Sequence, residues 1–139
     1  MKTCIVVGRH KFLPDQERDV KEKLGCGELV YVKQVNDINK DILGLAKEKG
    51  AAAIVVQALP LPLMAQLLSQ RGRPPVYFLK MEARGLVESK EEAEEWQRAK
   101  PGSRIYLPPP PTGGGYRLME YVGPFLEKRV VIEEEPVDP

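Results

Sequence analysis

The sequence predicts an α/β fold with a mainly parallel sheet of about four to six strands and helices on both faces. Three observations carry this expectation. Short apolar runs bounded by glycine or charge, residues 4–7 and 51–56 among them, read as strands buried on both faces. Between them lie stretches with apolar residues three and four apart, so the order opens β-α-β-α-β, the pattern of a parallel sheet with packed helices. The chain has 139 residues, 42% hydrophobic and 29% charged, which suits one folded domain with an ordinary core.

The first strand, residues 4–7, runs into Gly8-Arg9-His10-Lys11. Residues 14–24 read as a charged helix with Val20 and Leu24 on one face, Leu13 ahead of the first turn, and Gly25 and Gly27 as the stop. Residues 28–32 are β-branched and aromatic, a second strand. Asn36 or Asp37 caps the next helix, which carries Ile38, Ile42, Leu45 and Ala46 on one face and ends at Gly50. Residues 51–56 form the third strand. Pro60 and Pro62 sit in a first helical turn, where amides lack intrahelical partners anyway, and Leu63, Met64, Leu67 and Leu68 form that helix's apolar face.

Residues 75–79 form a fourth strand, and residues 80–85 read as a polar loop. Ser89 with Glu92 makes a capping box for a charged surface helix, residues 90–100, pinned by Trp96. From residue 101 the chain changes character. A short strand at 104–107 leads into a polyproline segment at 108–111 and a glycine-rich stretch at 112–115. Residues 116–126 read as a short helix broken at Gly123-Pro124, residues 129–132 as a final strand, and 133–139 as an acidic tail. The expectation is a single domain over 1–139 whose last part, 101–139, is an arm, a strand and a tail.

Composition removes several classes of function. The formal net charge is +1, so no global basic field draws the chain onto long nucleic acid, and an anionic ligand needs a local pocket. No apolar run approaches the roughly 20 residues of a membrane span. Met1-Lys2-Thr3 leads directly into a strand without a secretory leader, so a cytoplasmic location and no membrane partner are expected. Abundant Glu and Lys with 13 prolines fits a heat-adapted protein. Cys4, Cys26 and one histidine give none of the zinc spacings, so no metal and no cofactor are expected. In a cytosolic chain both cysteines are expected reduced, with a Cys4–Cys26 disulfide the less favoured alternative. Neither nucleotide fingerprint, GxxxxGK[ST] or GxGxxG, is present, and no GxSxG elbow occurs.

In open α/β sheets ligands bind outside the carboxyl ends of the strands. The expected topology brings three loops to that edge. The first holds Gly8, Arg9, His10 and Lys11; the second holds Gln57 and Ala58; the third holds Lys80, Glu82 and Arg84. Helices starting after residues 13 and 59 would aim amide donors the same way, a setting suited to phosphate. Arg and Lys from separate strands strengthen it, because phosphate takes forked and charged donors. His10, the only histidine, suits proton transfer near neutral pH. Plainer readings stand beside these: His10 as an exposed turn residue, Arg9, Lys11, Lys80 and Arg84 as surface charges, and Gln57 as a partner for local backbone groups.

Four segments together resemble a known family. Gly8-Arg9-His10-x-x-Leu13-x-x-Gln16, Val30-Tyr31-Val32, Val55-Val56-Gln57 and Gly72-x-Pro74-Pro75-Val76-Tyr77 with Arg84 following are similar to segments of small CRISPR-associated proteins linked to cyclic oligoadenylate signalling. The resemblance covers about residues 4 to 84 and departs from the family at Ala58, where a glycine is usual. It implies a Rossmann-like fold related to the domains that sense cyclic oligoadenylates, and a homodimer whose twofold cleft suits a symmetric ring. It also implies a ring nuclease that cleaves cyclic tetra-adenylate by metal-independent attack of a ribose 2′-hydroxyl, switching off an antiviral response. Arg9 and His10 would be catalytic; Gly8, Lys11, Gln57, Ala58, Lys80 and Arg84 would bind the ligand. Two alternatives remain: a sensor or sponge that holds the messenger uncut, and a small α/β interaction protein without a nucleotide ligand.

Overall fold

A computed structural model describes residues 2–138. Its first strand, β1 (Lys2–Val7), ends in four residues that are 0–2% exposed, because the strand is flanked on both sides and covered on both faces. Parallel partners are β2 (Cys26–Val32) on one side and β3 (Ala53–Val56) on the other. Strand β4 (Val76–Val87) adds in parallel to β3. Beyond it, β6 (Tyr116–Glu127) pairs antiparallel with β4, and β5 (Arg104–Leu107) closes the edge, giving the order β2-β1-β3-β4-β6-β5. The fold is therefore α/β with a six-stranded mixed sheet, strongly curled, rather than a purely parallel one.

Helices lie on both faces, as the alternation of side chains in a strand requires. Ile5, Val7, Ile54 and Val56 face Ile38, Ile42, Met64 and Leu67. Cys4, Val6, Ala53 and Val55 face Val20, Leu79 and Tyr121. Val20 lies on α1 (Pro14–Glu22). Ile38 and Ile42 lie on a π-helical segment (Ile38–Gly44) that runs into α2 (Leu45–Lys49), where a plain α-helix was expected. Asp37 caps it by accepting from the Asn39 amide at 2.9 Å. Met64 and Leu67 lie on α3 (Leu61–Leu68). The last helix, α4 (Lys90–Ala99), starts at Ser89, whose hydroxyl accepts from the Glu92 amide at 3.2 Å.

Four expectations are corrected. Residues 80–85 are not a loop: β4 runs straight through them. Residues 116–126 are not a helix but most of β6, and Gly123-Pro124 breaks nothing because it lies where the β4–β6 register shifts. Residues 129–132 form no strand; residues 128–138 have no regular structure. Finally, Cys4 and Cys26 are joined by a disulfide, their Cα atoms 5.7 Å apart on neighbouring strands. Their sequence separation of 22 makes the crosslink worth about 3 kcal/mol on chain-entropy grounds. No described helix is long and apolar enough to cross a membrane.

Candidate functional site

In the parallel half the strand order reverses between β1 and β3, and loops leaving such a boundary form a crevice. Two backbone bonds fix this one: the Gly8 amide donates to the Val32 carbonyl at 3.0 Å, and the Gln57 amide to the Val7 carbonyl at 2.8 Å. Gly8 has a φ of +151°, and a Cβ placed there would stand 2.2 Å from Gln57 Oε1. Only glycine lets the loop pass this close. The Gln57 side chain donates through Nε2 to the His10 carbonyl at 2.7 Å, so it braces the loop that carries His10. Its Oε1 is buried without a hydrogen-bond partner among the described residues and rests against Gly8.

Three hollows open around residues 8–11. The largest, about 410 Å³, lies between this loop and β2 and is lined by Arg9, His10, Lys11, Phe12, Tyr31 and Lys33, among others. A second, about 270 Å³, shares Arg9, His10 and Lys33 and reaches Ala58, Leu59 and Pro60 at the start of α3. A third, about 250 Å³, has His10, Lys11 and Gln57 on one side and Leu79, Met81 and Ile105 on the other. Arg9, His10, Lys11 and Lys33 are all exposed, and none forms an ion pair among the described residues. Arg9 donates through Nε to the Lys33 carbonyl at 3.1 Å, which aims the guanidinium while leaving its terminal nitrogens unbonded among the described residues. Glu17, the acidic side chain at the first hollow, is paired with Lys21 at 3.1 Å. The mouth is thus a cationic concavity that can take an anion with forked and single donors.

Gly8, Arg9, His10, Lys11, Gln57 and Ala58 come together as expected. Lys80 and Arg84 do not line any of the three hollows. Leu79 and Met81 take the third hollow's face of β4, and alternation turns Lys80 to the other face, where its ammonium lies 5.3 Å from the Phe125 ring centroid. Arg84 is held by Glu82 at 3.2 Å and Glu120 at 3.0 Å. The expected amide donors of α1 are also partly taken: the Asp15 amide donates to the Gly102 carbonyl at 3.1 Å.

Two residues at these hollows had no site role in the sequence reading, although Gln16 stands in the motif of the first loop. Lys33 enters because Val7 and Val32 are register partners, so the residue after β2 stands beside the loop after β1; parallel pairing was the available signal. Gln16 enters because its side chain turns back over the first turn of α1, accepting from the Leu13 amide at 2.9 Å. Elsewhere, Glu120 is held below the usual carboxylate range by its hydrogen bond from Arg104, with Arg84 adding to it. Burial, and the hydrogen bond to Asp19, push the Tyr121 phenol upward. No protein-family model, curated protein or solved structure matches the chain.

Proposed function

We propose that the chain binds a cyclic oligoadenylate at the β1 mouth and cleaves it without a metal, as a ring nuclease. The observation that carries the reading is the cluster of Arg9, His10, Lys11 and Lys33 around one concavity without ion-pair partners among the described residues. Three unpaired cations, Arg9, Lys11 and Lys33, gathered in one hollow favour a ligand carrying several negative charges. The strand order β2-β1-β3-β4, with the loop at the reversal, supports a Rossmann-like classification of the parallel half. The family resemblance of residues 4 to 84 supplies the ligand class.

In this reading Arg9 and Lys33 hold the scissile phosphate. His10 takes the proton of the ribose 2′-hydroxyl as its oxygen attacks phosphorus. The new bond is 2′-O–P and the broken one P–O5′, leaving a 2′,3′-cyclic phosphate and a 5′-hydroxyl. Lys11 stabilises the departing 5′-oxygen, which takes up a proton. Gln57 acts through His10, as a positioning residue. A twofold dimer would offer two such mouths to a symmetric ring.

The test is incubation of labelled cyclic tetra-adenylate with the protein in EDTA. Linear products ending in a 2′,3′-cyclic phosphate are expected. The His10→Ala variant should slow cleavage at least tenfold, about 1.4 kcal/mol of barrier, with affinity within twofold of the parent. Unchanged turnover in that variant removes His10 from the mechanism. A stable complex that yields no product identifies a sensor instead.

A further inference from the structure

Strand β2 is an open edge of the sheet: it pairs with β1 and, among the described residues, with nothing on its outer side. The Val32 carbonyl faces β1, since it accepts from the Gly8 amide. Successive residues of a strand bond to opposite neighbours, so the backbone N–H and C=O of Leu29 and Tyr31 face outward. Such an edge is a template for one more strand. Residues 129–132, Arg-Val-Val-Ile, have the chemistry of a strand but pair with none in their own chain. Val131 is 64% and Ile132 70% exposed. Glu133, Glu134 and Glu135 follow, exposed and without an ion pair among the described residues. Edge and tail are complementary in charge, because β2 leads into Lys33, with Arg9 and Lys11 around the same hollow.

We propose that residues 131–135 of one copy add as a seventh strand to β2 of a second copy, parallel to it, and seat their carboxylates on the cationic mouth. A register with Val131 beside Tyr31 sets Glu133 beside Lys33, and the Ile132 amide then donates to the Tyr31 carbonyl. The chain's own edge is out of reach. Val131 lies four residues past the end of β6, a span of about 14 Å, whereas the outer side of β2 is five strand spacings away, about 24 Å along the sheet. Val130 also packs against the chain's own core. Direction argues the same way. Strand β6 is antiparallel to β4 and ends opposite Val76, the first residue of β4, so the tail heads away from its own mouth. A twofold axis across the strands turns the partner's β2 into the tail's direction, so reciprocal exchange closes as a dimer instead of growing into a filament. The exchanged tail occupies donors that an anion needs, so the mouth is self-blocking until a ligand competes the tail away. The tail lies outside the stretch that carries the family resemblance, and the inference uses the charge of the mouth, not the identity of its ligand.

The test is sedimentation velocity of the full chain at low ionic strength, with inorganic pyrophosphate as the anion probe. A dimer with a micromolar dissociation constant is expected. Ile132→Pro removes the amide that the added strand donates, at a side chain 70% exposed, and should weaken association at least tenfold. Glu133→Lys and Lys33→Glu should each do the same, and the two together should return association to within threefold of the parent. Pyrophosphate should dissociate the parent dimer. By titration calorimetry it should bind Ile132→Pro at least threefold more tightly than the parent, at protein concentrations where the parent is dimeric. A parent chain that stays monomeric at about 100 µM, or a dimer that Ile132→Pro leaves intact, overturns the exchange. Lys47 and Arg71 line a hollow nearer the tail, at the amino ends of β3 and β4. A dimer that survives Lys33→Glu would assign the carboxylates to those cations and overturn the proposal. Equal pyrophosphate affinity in the parent and Ile132→Pro would overturn the self-blocking of the mouth. Cleavage of cyclic tetra-adenylate in EDTA decides the ring nuclease reading separately.

Discussion

At the carboxyl ends of β1 and β2, Arg9, His10, Lys11 and Lys33 stand exposed without a carboxylate partner among the described residues. Across the sheet, Lys80, Arg84 and Arg104 are each matched: Lys80 with Glu82 at 3.8 Å, Arg84 with Glu82 and Glu120, and Arg104 with Glu120 at 2.5 Å. Cross-strand opposite charges stabilise a sheet modestly, and the β4–β6 and β5–β6 pairs use them that way. Like charges gathered in one place do the opposite and weaken the fold. Cations matched within the sheet are explained by folding alone. The cations at the mouth are not, and this separates a candidate binding surface from structural charge.

The largest expected effect tests that separation directly. The double variant Arg9→Ala with Lys33→Ala should lower affinity for cyclic tetra-adenylate about 100-fold, two charge-assisted contacts at roughly 1.5 kcal/mol each. Arg84→Ala should leave affinity within twofold, since its guanidinium is occupied by two carboxylates. Titration of both variants at one ionic strength reads the difference. Comparable losses would show that the antiparallel half belongs to the site after all.

Next in size is a stability effect confined to the other half. Arg104 stacks 4.4 Å from the Trp96 ring centroid, donates to the Trp96 carbonyl at 2.9 Å and holds Glu120. Its side chain is 17% exposed and that of Glu120 13%, so Arg104→Ala leaves a mostly buried carboxylate with Arg84 alone. The cost should be about 2 kcal/mol in urea denaturation, less than the loss of a fully buried pair. Ligand affinity should not change. A stability loss under 0.5 kcal/mol would mean that the cluster contributes little.

Much of the parallel half was legible in the sequence, because strands such as 4–7 and 53–56 are buried on both faces and announce themselves as apolar runs. The loop after β1 followed from the same reading. Strand β6 was not legible. Leu118 and Tyr121 are both 6% exposed and three residues apart, a helical spacing. In the sheet they point to opposite faces, Tyr121 toward α1 through Asp19, and Leu118 on the face of Glu120, where Arg104 reaches α4. A strand covered on both faces by different helices imitates a helix in one dimension. Lys80 and Arg84 failed for a related reason: once β4 continues as a strand, side-chain alternation and the Glu82 and Glu120 carboxylates turn them away from the mouth. The disulfide was beyond composition, since the register that sets Cys26 opposite Lys2, near Cys4, exists only after β1 and β2 pair.

The smallest effect sharpens the comparison through pH. The hydrogen bond from Arg104 depresses the Glu120 carboxyl in the folded state relative to the unfolded chain. A depressed carboxyl contributes stability that is fully present above the unfolded value, roughly 4.3 for glutamate, and is lost as pH falls through the lower folded value. Protonation of Glu120 removes the charge that both arginines use, so the antiparallel half should loosen at acid pH. Other carboxylates titrate in the same window, Asp41 among them, held down by the amides of Asn36 and Asp37. The informative quantity is therefore the stability gap between the parent chain and Glu120→Gln. It should be open at pH 7, where the carboxylate is charged, and should narrow toward pH 3, as the unfolded chain takes up a proton that the folded carboxylate resists. A gap that stays constant from pH 7 to pH 3 would assign the loss in Glu120→Gln to packing and deny the charge pairing its role on that side of the sheet.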